Sequence, residues 1–190
     1  MLFLEQIFER FCNYLDGKLK WADPANQWTE VVFGFFAQEN AAQAVPYLEI
    51  TEHMRVDYIW RYNRQRYSIN DIELAVESEN EENSVDELIT HEIQHLVDIR
   101  AHYKIAILYT TLGDQSKLLE RTSKTIKMVD ERYRVEEQYL IILGHQTTTE
   151  GKHAIQWRGV LFNKNGEETG RKMERLTLQR NESRTAPTDL

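Results

Sequence analysis

Ile72-Glu73-Leu74-Ala75-Val76-Glu77-Ser78-Glu79 alternates at its core positions. That alternation decides the fold class, because a period of two is the mark of a strand. Ile72, Leu74 and Val76 then share one face, and Glu73, Ala75, Glu77 and Glu79 the other. Just upstream, Met54 to Tyr62 is rich in β-branched and aromatic residues (Val56, Tyr58, Ile59, Trp60, Tyr62) and predicts a second strand. The polar stretch Arg61 to Asn70 between them predicts a loop or hairpin tip.

Working outward, Ser84 with Glu87 three residues on forms a capping box. It predicts a helix from Val85 that buries Leu88, Ile89, Ile93, Leu96 and Val97. Tyr103–Tyr109 and Tyr139–Gly144 are short apolar runs, expected as buried strands. A polar helix is expected from Ser116 to Tyr133, and an edge strand from Ala154 to Phe162, followed by an Asn165-Gly166 turn. Towards the N-terminus, Leu4, Ile7, Phe8, Phe11 and Leu15 recur at helical spacing, with a stop at Asp16-Gly17. A second helix is expected from Asp23-Pro24 to about Ala42, with Asp23 as its cap. The order is ααββαβαβ(β), an α/β fold with a mixed sheet and helices on both faces.

The 190 residues suit one domain, expected over 1–180, with 181–190 as a disordered tail. A hydrophobic fraction of 41% is enough for a core. No apolar run approaches a membrane-spanning helix, so no membrane partner is expected, and the opening Met1-Leu2-Phe3-Leu4-Glu5 does not read as a signal peptide. Cys12 is the lone cysteine, expected as a core thiol, and a reducing, cytoplasmic setting follows. The net charge of −8 argues against broad electrostatic binding of nucleic acid, though not against a local basic surface.

The carboxylates carry the chemistry. Arg55, Asp57 and Ile59 share a face of the first central strand, and Glu77 and Glu79 a face of the next. One hairpin register brings Asp57 beside Glu77. Hard divalent cations such as Mg²⁺ take carboxylate oxygens and keep several waters. An Asp within an apolar, aromatic strand is costly unless paired or metal-bound.

The run Arg55-Val56-Asp57-Tyr58-Ile59-Trp60, then Ala75-Val76-Glu77-Ser78-Glu79-Asn80, a helix, and Tyr103–Tyr109 resembles the PD-(D/E)XK nuclease superfamily over roughly residues 28 to 110. The resemblance implies a restriction-endonuclease-like mixed central sheet flanked by helices, an αββαβ-type core after the N-terminal helices. It implies a Mg²⁺-dependent (or Mn²⁺-dependent) nuclease acting on DNA or RNA, DNA first, and it is compatible with a homodimer. By position, Asp57 and Glu77 match the family's acidic metal ligands, with the Ser78 carbonyl as a further ligand. Glu79 stands where the family usually has lysine, so it would be a base or second ligand. Glu30, with Glu39 as competitor, is the candidate for the helix glutamate that members often add, and Gln94 or His95 could reach the site as helix residues do in some relatives. The alternative is a non-catalytic nucleic-acid-binding or assembly protein of the same fold.

His91-Glu92-Ile93-Gln94-His95 competes with this reading, because it matches the H-E-x-x-H pattern of zinc metalloproteases. A third ligand is wanting: His102 is one residue too far for the longer form of that pattern, and Glu120 or Glu136 are distant candidates. The bland expectation is that His91, His95, Asp98 and His102 form a solvated stripe. Basic residues crowd the expected hairpin, Arg55, Arg61, Arg64 and Arg66, with Trp60, Tyr62 and Tyr67 interleaved as nucleic-acid contacts. Others recur on the polar helix (Lys117, Arg121, Lys124, Lys127) and from Arg158 through Lys164, Arg171, Lys172 and Arg175 to Arg180.

Overall fold

The computed structural model describes residues 3–62, 72–81, 83–129 and 136–180. Helix α1 (Leu4–Leu15) buries Leu4, Ile7, Phe8, Phe11, Cys12 and Leu15, the expected stripe. It ends where Gly17 takes a φ of +70°, a conformation that glycine adopts freely. Burial pushes the Cys12 thiol well above its ordinary pKa, as a core thiol should be. Helix α2 (Ala25–Ala41) follows Pro24, but Asp23 does not cap it. Its carboxylate accepts the Lys20 amide instead and pairs with Arg180 at 2.9 Å.

Strand β1 (Leu48–His53) comes next, then β2 (Val56–Arg61) and β3 (Ile72–Glu79). Residues 63–71, which include the expected hairpin tip with Arg64 and Arg66, lie outside the described residues, as does the expected tail at 181–190. The capped helix begins as α3 (Val85–Glu87), with both capping-box bonds present. It continues with π geometry through Leu88–Ile93 and finishes as α4 (Gln94–Asp98). Then come β4 (Tyr103–Tyr109), α5 (Gln115–Lys127), β5 (Gln138–Thr149), β6 (Lys152–Asn163) and β7 (Glu168–Leu178).

All seven strands form one sheet in sequential order, β1 to β7. The pairs β3–β4 and β4–β5 are parallel and the other four antiparallel, so the sheet is mixed as expected. Each parallel step needs a crossover, supplied by α3–α4 and by α5. Two strands go beyond the expectation. β1 is a largely exposed edge with no apolar alternation to announce it. β7 pairs with β6, so the expected edge strand is internal. Its pairing follows from the Asn165-Gly166 turn, where Gly166 has a φ of +68°.

The two faces of the sheet have separate cores. On one, α1 and α2 pack Phe11, Trp28, Phe35 and Phe36 against Tyr58, Trp60, Tyr109 and Trp157. Trp28 meets Tyr109 edge-on with ring centroids 4.7 Å apart, a favourable aromatic geometry. On the other, Leu88, Ile89, Ile93, Leu96 and Val97 join Leu118 and Ile126 over Ala75, Ala106, Ile141 and Leu143. Asp57, Glu77 and Glu79 belong by parity to this second face, under the π turn. A buried ion pair sits nearer the start of the parallel strands. Lys104, wholly buried, lies 3.0 Å from Glu137, and the Tyr139 hydroxyl donates to the same carboxylate at 2.6 Å.

Candidate metal centre at the carboxylate end of the sheet

The register decides what meets what. Tyr58 pairs with Val76, so the next step along sets Asp57 opposite Glu77. The side chains knit the two strands together where the regular ladder stops. The Asp57 carboxylate accepts the Ser78 amide at 2.9 Å, and a Glu77 oxygen lies 3.4 Å from the Asp57 amide that donates to it. On the other side of Asp57, the pairs Thr51↔Tyr58 and His53↔Val56 leave Glu52 opposite it. Three carboxylates therefore cross three adjacent strands in a row, an arrangement that like-charge repulsion disfavours.

The helix above adds two more groups. Glu92 lies on the inward face of the π turn and His95 one turn on, with its Nδ1 3.5 Å from Glu77 Oε1. His95 is thus not part of a solvated stripe, a correction that follows from the helix direction over β3. His91 and Asp98 are exposed, in line with that stripe.

The electrostatics are those of negative charge in excess. Glu77 is 1% exposed. Burial first, then the Asp57 and Glu92 carboxylates, push it up to about 10. Burial raises Asp57 as well, partly offset by the Ser78 amide. Burial, Glu79 and Asp57 push Glu92 up to about 7. His95 is lowered by burial first and then by Arg55 and His91. Glu77 Oε1 is buried with no hydrogen-bond donor, and an unsatisfied buried oxygen is expensive.

Among the described residues, no group of three or more His, Cys, Asp or Glu side chains is arranged to hold a metal ion as it stands. A small hard cation does not require one, since Mg²⁺ binds through one or two carboxylates and retains waters. Asp57, Glu77 and the main chain of Ser78 offer a donor set of that kind, and the orphaned Glu77 oxygen is the atom it would satisfy. Ser78 turns its amide towards Asp57. Strand geometry turns the carbonyl of the same residue that way too.

The other sequence candidates are placed as follows. Glu79 is half-buried at the end of β3, and one of its oxygens accepts the Glu81 amide at 2.8 Å. Glu30 is exposed on α2, and that helix meets the end of β3 through Ala25 and Thr29, both bonded by Asn80. Glu39 is engaged by Arg10 in a two-bond pair. Gln94 donates along its own helix to Asp98. Arg55 is exposed in the β1–β2 turn, and Arg61 ends β2. His102 lies at the far end of the sheet, its amide donating to Ile72. Glu120 and Glu136, the distant zinc candidates, pair with Lys124 and Lys164. Most of the C-terminal basic run is likewise ion-paired: Arg171 and Arg175 with Glu9, Lys172 with Glu174, and Arg180 with Asp23.

Glu52 escaped the sequence reading, and Glu92 entered it only as the glutamate of the zinc pattern, not as a neighbour of Asp57 and Glu77. Glu52 sits on a strand that no periodicity reveals. Glu92 did leave a signal: it falls three residues after Ile89 and four before Leu96, inside the apolar stripe of its helix. Comparison with protein-family models, with curated proteins and with solved structures gives no match. No helix among the described residues is long and apolar enough to cross a membrane.

Proposed function

We propose that this protein is a Mg²⁺-dependent phosphodiesterase acting on nucleic acid, of the PD-(D/E)XK type, with Asp57, Glu77 and the Ser78 carbonyl as the metal-binding set. The observation that carries the reading is the side-by-side pair Asp57 and Glu77, with a buried Glu77 oxygen that no donor satisfies. A bound divalent cation supplies charge neutralisation, a more acidic water and polarisation of the phosphoryl oxygen. The chain's own groups do the rest. In hydrolysis a water oxygen bonds to phosphorus as a bridging P–O bond breaks; the water's proton needs an acceptor, and the leaving oxygen takes a proton from solvent. Glu79 and Glu92 flank the pair and are the acceptors at hand, and Glu92 is tuned to about 7, near the optimum for a general base at neutral pH. His95 Nδ1 lies 3.5 Å from the orphaned Glu77 oxygen, close enough to act on it electrostatically without a hydrogen bond. Arg55, two residues before Asp57 and exposed, is a cation at hand for a flanking phosphate.

One observation favours the non-catalytic alternative, a nucleic-acid-binding or assembly protein of this fold: Glu79 occupies the position where the resembled family has lysine. The two readings separate in one experiment. Asp57→Ala and Glu77→Ala are compared with the wild type for Mg²⁺-dependent cleavage of DNA and RNA probes, with Mn²⁺ binding followed by calorimetry. Cleavage and stoichiometric Mn²⁺ binding in the wild type, both lost in each variant, are expected. Metal binding without cleavage supports the non-catalytic protein. Cleavage unchanged in both variants overturns the assignment of the site.

A further inference from the structure

The turn between β1 and β2 is closed by the pairing of His53 with Val56, so Met54 and Arg55 are its two central residues. Both have positive φ, 52° and 71°, the left-handed pair of a type I′ turn. Asn-Gly is the sequence such a turn favours, because side chains longer than Asn are crowded there. Glu52, two residues earlier, is left-handed too, with a φ of 53°. Three strained positions within four residues, none of them Gly or Asn, mark a segment whose side chains serve something other than the turn. Met54 is 73% exposed, a large apolar side chain held out in water at the tip. The turn lies near the carboxylates: Asp57 follows Arg55 by two residues, Glu52 acts electrostatically on Asp57, and Arg55 acts on His95.

We propose that Met54 is a wedge that inserts between stacked base pairs of duplex DNA beside the scissile phosphate, with Arg55 on the neighbouring phosphate. This rests on the phosphodiesterase reading and adds the substrate class, duplex DNA. Apolar wedges, methionine among them, open base steps and kink the duplex. Methionine suits the task, being unbranched, adaptable and favourable against ring edges. A two-residue turn is a short, rigid mount for such a side chain, and both of its central residues, Met54 and Arg55, are exposed. A wedge has work to do only where there is a stack to open, so single strands gain nothing from it. The wide minor groove of duplex RNA is shallow and lined by 2′-hydroxyls, a poorer entry for an apolar side chain.

The test uses a duplex DNA carrying 2-aminopurine beside the bound phosphate, titrated with the full chain in Ca²⁺ so that binding is read without turnover. The wild type should raise the fluorescence as the base unstacks. Met54→Asn should abolish the rise and weaken duplex binding by about tenfold, with single-strand binding unchanged. Its thermal midpoint should hold or rise, because Asn suits the left-handed position. Met54→Leu, which keeps the bulk, should restore the rise. Undiminished unstacking by Met54→Asn, with cleavage intact, overturns the wedge and leaves the phosphodiesterase standing. An equal rise with duplex RNA overturns the choice of DNA. A wild type that binds no duplex and cleaves nothing overturns both readings.

Discussion

Replacing Glu77 by Gln removes one titratable proton and almost nothing else. The shape is kept, and the amide oxygen can still accept from the Asp57 main chain as the carboxylate does. What disappears is a buried acid that Asp57 and Glu92 repel and that no donor satisfies at Oε1. Its pKa lies at about 10 in the fold against an ordinary 4.5. Between those values the folded chain keeps a proton that the unfolded chain has released. The stability Glu77 contributes is therefore whole below 4.5 and is lost as pH climbs towards 10. The slope approaches about 1.4 kcal/mol per pH unit while the difference is one full proton. From pH 6 to 8 that is roughly 3 kcal/mol, or about 6–12 °C of thermal midpoint in a chain of this size. The assay is urea unfolding in chelator across that range, followed by the fluorescence of the buried Trp28, Trp60 and Trp157. Glu77→Gln should flatten the pH dependence and be the more stable protein at pH 8. Mn²⁺ should then stabilise the wild type, by about 2.7 kcal/mol at a hundredfold excess over its dissociation constant, and leave the variant unmoved. A variant less stable than wild type by the same amount at every pH would refute the argument, since Glu77 would then be an ordinary hydrogen-bonded core group.

Two further outcomes test the frame that holds the site. A Cβ at Gly159 would come within 2.7 Å of the Phe8 ring and 3.0 Å of the Met173 methyl, so Gly159→Ala should cost about 1–3 kcal/mol of unfolding free energy. A change within about 0.5 kcal/mol would mean that α1 gives way freely. Lys104→Met strands the buried Glu137 and should cost about 3–5 kcal/mol, most of it recovered in Lys104→Met with Glu137→Gln. A double-mutant cycle with no coupling would deny the pair.

The sheet was legible where strands are buried and obscure where they are not. β4 is buried at every position and reads as an apolar run, and β3 alternates. β1 leaves Leu48, Glu49, Thr51 and Glu52 exposed and buries none of its residues, so no hydrophobic period marks it. β7 has two buried residues in eleven, and its existence follows from a turn signal rather than from its own sequence. The second half of β5 loses the apolar character of the first, which explains why the expected strand ends at Gly144 and the real one at Thr149. The pair Asp57 and Glu77 was legible because a charge inside an apolar strand needs a reason. Glu92 was hidden by its neighbours: two histidines drew the helix towards zinc, although its place in the apolar stripe fixed where it would point.

The charge inventory gives the strongest reason to expect a cation from outside. The resembled family places a lysine beside its two acids, and this chain has Glu79 there. Lys104 is the buried lysine of the sheet, so it is the natural candidate to replace it. Register rules that out: Lys104 pairs with Ala75, and Glu77 with Ala106, about 7 Å further along the strand. Lys104 is also held by Glu137, Tyr139 and the Val97 carbonyl at the other end. What acts on the acids from within is His95, and burial, Arg55 and His91 keep that imidazole inclined to stay neutral. Four carboxylates, Asp57, Glu77, Glu79 and Glu92, thus share one histidine that burial inclines to neutrality. Such a cluster holds itself together by keeping protons, or by binding a divalent cation that displaces them. Protons released on metal addition, measured in weakly buffered solution, should therefore exceed what exposed carboxylates alone would yield at neutral pH, and a release of none would leave the cluster to its protons.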